Sequence, residues 1–194
     1  MTGKTFSLWV AVATVVLSGC ANTLQPLGSK DVRVDIPHLS GNWIVSETTL
    51  LQTLNDARVK IARSDTGLYT ATLTEEGQVS TWNCQTLKLN ETTFVDLVPL
   101  LDAVDDQQRA ADMLTLTSHV VLALEVDGDQ IKLFGFDHGK LDVIAMNEGL
   151  VLESSVNNRV IYIAKTSKLQ QFFGTTGAAH LQKTRPVLTL KRSE

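Results

Sequence analysis

The side chains most capable of chemistry in this 194-residue chain are two cysteines, Cys20 and Cys84, and four histidines, His38, His119, His138 and His180. A metal site would need histidines in ligand spacing, such as H-x-x-x-H or H-E-x-x-H. None of the four has it, and no metal is expected. Cys84 sits in "STWNCQTLKL", which alternates like a strand, so its thiol reads as a half-buried structural group. A nucleophilic thiol needs an adjacent base, and the sequence identifies none. Asp137 and His138 are neighbours in "FGFDHGK". They fit a turn residue and its solvated neighbour better than a catalytic pair. "EVDGDQ" begins like a calcium loop but carries Ile131 at the next ligand position. "GTTG", residues 174–177, has neither the feeding strand nor the Lys of a phosphate loop. No Ser lies in a G-x-S-x-G elbow. Asp102, Asp105 and Asp106 read as the solvated face of a helix. Nothing here organises a reaction, so the sequence points away from an enzyme and its cofactors.

Cys20 has a different setting. The chain starts "MTGKTFSLWVAVATVVLSGC". Lys4 supplies a positive start, and residues 6–17 are apolar or small throughout. As a helix this run spans roughly 18 Å, short of the ~30 Å hydrocarbon core, which suits a signal-peptide core and not a membrane span. Leu17-Ser18-Gly19-Cys20 then resembles the lipobox of bacterial lipoproteins. The resemblance implies removal of residues 1–19 and a covalent diacylglycerol and N-acyl chain, palmitate or similar, on Cys20. Each buried CH₂ of such chains contributes ~0.8 kcal/mol to anchoring. Ala21 and Asn22 after the Cys resemble the sorting context of outer-membrane lipoproteins. The expected location is the outer membrane, lipid-anchored and facing the periplasm.

Length and composition fit one folded domain: 43% of residues are apolar and 20% charged. The formal net charge is −4, and no Lys/Arg stripe interleaves with aromatics, so a nucleic-acid partner is not expected. Residues 20–37, "CANTLQPLGSKDVRVDIP", carry Pro and Gly without helical period and read as a lipidated N-terminus and flexible tether. The domain is expected over 38–194.

Strand signals dominate it. Alternating runs lie at 41–50, 57–63, 68–75, 79–89, 94–101, 119–126, 130–136, 150–156, 159–165 and 186–192. Turn signals separate them: "SDTG" at 64–67, "EEGQ" at 75–78, "DGD" at 127–129 and "NN" at 157–158. Helices are expected at 102–114, 140–149 and 167–173, the last with a Ser167/Gln170 capping box and a stop at Gly174. Short adjacent strands with tight turns predict an antiparallel meander closed into a barrel or sandwich.

Gly41-Asn42-Trp43 resembles the G-x-W motif that opens the first strand of lipocalins. The resemblance implies a mainly β, antiparallel up-and-down barrel with a short helix before the last strand. It also implies an Arg packed over Trp43, either Arg185 or Arg192. Such a barrel leaves an interior for one apolar ligand. Val120, Leu122, Leu124, Leu133 and Phe136 are the expected ligand-facing residues. The expected function is a lipid-anchored carrier of a hydrophobic small molecule or lipid. The alternative is a packed scaffold that docks an envelope protein, with Phe172 and Phe173 as a candidate exposed apolar patch.

Overall fold

The computed structural model describes residues 20–49, 54–100, 118–154 and 159–193. The signal-peptide reading of 1–19, the helix at 102–114 and the turn at 157–158 lie outside them. Eight strands form a closed antiparallel barrel: β2 (Gly41–Thr48), β3 (Arg58–Arg63), β4 (Tyr69–Glu75), β5 (Gln78–Leu89), β6 (Thr92–Leu100), β7 (His119–Asp127), β8 (Gln130–Phe134) and β11 (Leu188–Arg192). Each pairs with the next, and β11 inserts between β8 and β2 to complete the ring. Closure removes the unpaired edges that an open sheet presents to other chains. The expected mainly β, up-and-down, lipocalin-like barrel with a helix before its last strand is the observed fold.

Local chemistry sets the turns. Glu76 and Gly77 both adopt positive φ between β4 and β5, and Gly128 does so between β7 and β8. Between β8 and β11 the chain leaves the barrel. It forms α1 (His138–Asn147), the hairpin β9 (Val151–Ser154) and β10 (Arg159–Tyr162), and α2 (Thr166–Phe172). Of the runs expected at 150–156 and 159–165, Val151–Ser154 and Arg159–Tyr162 therefore form strands outside the barrel, not members of its meander. The expected capping box is not formed. Thr166 begins α2, its hydroxyl donates to the Pro26 carbonyl, and Gln170 Nε2 donates to Leu27 O. Gly174 does not end the helix either. The chain widens into a π turn over Phe173–Gly177, and Gly174 lies against Leu89 and Asn90.

Residues 20–37 are not a tether. Ala21–Thr23 form strand β1, antiparallel to β7 and parallel to β10. Ala21 and Leu27 have no exposed surface. The buried Asp96 carboxylate accepts the Leu27 N–H at 2.8 Å and the Gly28 N–H at 3.4 Å, and His119 Nδ1 lies 2.7 Å from its other oxygen. Val34 N–H donates to Thr86 O and Lys88 N–H to Val32 O, so residues 32–34 extend the β4 side of β5. Tyr69 donates its hydroxyl to Asp35, which also pairs with Arg63 at 3.1 Å. The segment is a belt around the barrel, held by backbone bonds that no flexible linker makes. If so, Asp96→Ala strands two buried N–H groups and should cost about 2–4 kcal/mol in urea unfolding. Amide exchange at Leu27 should accelerate in step. Unchanged exchange there would return these residues to the status of a tether.

Candidate functional site

Period-two alternation sends one face of every barrel strand inward. Trp43 and Val45, Val59 and Ile61, Ala71 and Leu73, Val95 and Leu97, and Leu188 and Leu190 pack together in the barrel's interior cluster. They do not fill the barrel. A cavity of about 160 Å³ remains at its centre, walled by side chains from all eight strands. Apart from the Tyr69 hydroxyl and the Cys84 thiol, the wall has no hydrogen-bonding side chain other than the Trp82 indole. The Tyr69 hydroxyl is already engaged by Asp35. A dry apolar cavity of about 150 Å³ is known to take benzene-sized guests, whereas drug-sized ligands need about 300 Å³ or more. The site therefore suits a small apolar group or a short alkyl chain.

Val120, Leu122, Leu124 and Leu133, four of the five residues expected to face a ligand, lie on this wall. Phe136 does not, and parity explains why. Ile131 and Leu133 point inward on β8, so Phe134 and, past Gly135, Phe136 fall on the outer face. There Phe136 stacks on Phe94 at 6.4 Å between ring centres and meets Phe173 at a tilt of 53°, 5.3 Å between centres. This outer cluster also absorbs the pair expected to be exposed: Phe172 and Phe173 are 3% and 0% exposed, each against Tyr162. The large apolar side chains that are exposed include Val143 and Met146 on α1 and Leu152 on β9.

One end of the barrel is plugged. The Trp43 indole N–H donates to Leu39 O, and the Arg192 guanidinium lies 4.3 Å from the centre of the Trp43 ring. Arg192 also donates to the carbonyls of His38 and Ser40 and pairs with Asp129 at 3.0 Å. Of the two arginines the sequence left open, the structure selects Arg192. Gly41 has φ +150°, which residues with side chains rarely adopt, and a Cβ there would sit 2.5 Å from the Arg192 Nη1; together these favour glycine at this position.

The groups nominated for chemistry do not converge. Cys84 faces the interior, while His138 begins α1 outside the barrel. His138 Nδ1 approaches Asp142, not Asp137, at 3.3 Å, and Tyr162 donates its hydroxyl to the same Asp142. Burial pushes the Tyr162 phenol up, reinforced by the Asp142 charge. Among the described residues, no group of three His, Cys, Asp or Glu side chains is arranged to hold a metal.

Cys20, the expected attachment point, is only 1% exposed and belongs to the interior cluster. Burial pushes its thiol up to about 12. A lipid on its Sγ therefore requires the Cys20 side chain to leave this position. The Cys84 thiol is likewise pushed up to about 12 by burial. A buried thiol stays protonated where its unfolded counterpart ionises. Between about pH 9 and pH 12 the unfolded chain thus binds fewer protons, and stability falls as pH rises through that window. Cys84→Ala should flatten this alkaline slope in pH-dependent urea unfolding; an identical slope would mean that the thiol ionises freely in the folded state. No family model, curated protein or solved structure matches the chain.

Proposed function

We propose that this protein is a lipid-anchored lipoprotein of the bacterial envelope, at the outer membrane, whose barrel binds a small hydrophobic ligand or one short chain of a lipid. The observation that carries the reading is the apolar cavity of about 160 Å³ at the barrel centre. A closed eight-stranded barrel can fill its interior with side chains, and a void that is left lacks dispersion partners on one side. An occupant restores them. The lipobox-like Leu17-Ser18-Gly19-Cys20 supports the anchor and the location. The rival reading, a packed scaffold that docks an envelope protein, draws on the exposed Val143, Met146 and Leu152.

Native mass spectrometry and lipid extraction of the full-length protein from its own host should recover a stoichiometric apolar molecule. The emptied protein should take up hexanol, read through the fluorescence of Trp82 on the cavity wall. Ala71→Phe, which fills the cavity from that wall, should abolish uptake with the circular dichroism of the barrel intact. An empty protein that ignores hexanol overturns the carrier reading and leaves the docking face.

The anchor has its own test. Intact-mass measurement should find the wild-type chain cleaved before Cys20 and heavier by acyl chains. Cys20→Ser should lose both changes and leave the membrane fraction. A wild-type chain that keeps residues 1–19 and carries no acyl mass would remove the lipoprotein assignment.

A further inference from the structure

The branch that leaves the barrel ends in an open edge. The sheet continues from β7 through β1 and β10 to β9, and β9 pairs with β10 alone. Among the described residues every other strand has a neighbour on both sides. The ladder shows which groups point off the free side. Ile163 N–H donates to Leu150 O, and Leu24 N–H to Tyr162 O. Antiparallel pairs alternate between bonded and non-bonded residues. Leu152 therefore bonds with Ile161, and the N–H and C=O of Val151 and Glu153 point away from β10. Neither residue has a backbone partner there among the described residues. Nothing in β9 protects this edge: it carries no Pro, no Lys and no bulge. Val151 packs into the outer cluster, so Leu152 points to the opposite face, where it is 59% exposed.

We infer that β9 is the edge through which two copies of this chain pair, antiparallel, into a two-fold dimer. The occupant follows from register. An axis through Leu152 sets Val151 of each copy opposite Glu153 of the other, so every outward-pointing backbone group of both residues bonds. Leu152 then faces itself at a non-bonded position, where side chains approach most closely and an exposed apolar group is covered by an identical one. Other axes fail. Through Val151, Glu153 meets Gly149, which lies beyond the strand. Through Glu153, two acidic residues oppose each other. Between residues, Val151 or Glu153 meets Leu152, whose backbone groups are taken by Ile161. The edge thus matches its own copy in one register. The dimer is independent of the carrier reading, since no residue of β9 lines the cavity. It gives Leu152 to a second copy, where the rival reading gives it to an envelope protein.

Sedimentation equilibrium of the full-length protein, in detergent with micelles in excess, should find a monomer–dimer equilibrium. Leu152→Lys sets two like charges on the axis and should weaken it about tenfold or more, with circular dichroism unchanged because the position is exposed. Leu152→Cys should give a covalent dimer under mild oxidation. Residues facing each other in a non-bonded pair lie about 4.5 Å apart between Cα atoms, within disulfide reach. Val79→Cys, similarly exposed at the start of β5, should stay unlinked. A chain that remains monomeric at about 100 μM, where even weak association shows, overturns the inference, whether or not this edge captures another protein. So does a dimer that Leu152→Lys leaves intact, or one that Leu152→Cys links no better than Val79→Cys.

Discussion

Arg192 ties the two ends of the folded chain to each other. It lies on the last strand, stacks on Trp43 in the first barrel strand, and donates to two carbonyls at the end of the N-terminal belt. A guanidinium can do all of this at once because its donors lie in one plane while its face meets the ring. Strand order follows from the same join. Only with β11 held between β8 and β2 does the sheet become a ring, and only a ring has an inside.

That inside is one of two apolar layers. The inner layer is mostly aliphatic, with Trp43, Tyr69 and Trp82 as its rings, and it leaves a void. The outer layer is made of rings: Phe94, Phe136, Tyr162, Phe172 and Phe173 pack beneath α1, α2 and the β9–β10 hairpin. The difference is physical. Planar rings tile the flat space between a sheet and its covering helices, whereas shorter aliphatic side chains cannot reach the axis from every strand.

Much of this was legible in the residues. Alternation in "HVVLALEV" and the Asp-Gly turn after it give both strands and which side chains face in. Phe136 was misplaced because it was grouped with Leu133 although it lies three positions on, an odd step that changes face. The adjacent Phe172 and Phe173 looked impossible to bury together on an α-helix, and they are not both on one. The π turn that starts at Phe173 re-aims the second ring, and nothing in "QQFFGTTG" announces that turn. The belt was the largest miss. "ANTLQPLGSKDVRVDIP" has the composition of a linker, and its order comes from partners far along the chain, chiefly Asp96, Thr86 and Tyr162. Composition reports the local cost of order and says nothing about distant groups that offset it.

The position of β1 has a consequence in time. Asn22 pairs on one side with Val120 and on the other with Ile161. A ribosome makes Asn22 long before Ile161, and contacts so far apart in sequence form late. While the rest of the chain is being made, Cys20 therefore has no barrel to enter and its thiol remains in water. On the proposed lipoprotein reading, the interval between synthesis and closure is when an acylating enzyme reaches that sulfur. On that reading, the order of events during biogenesis, and not the exposure of the finished fold, decides whether Cys20 ends as an anchor or as a piece of the core.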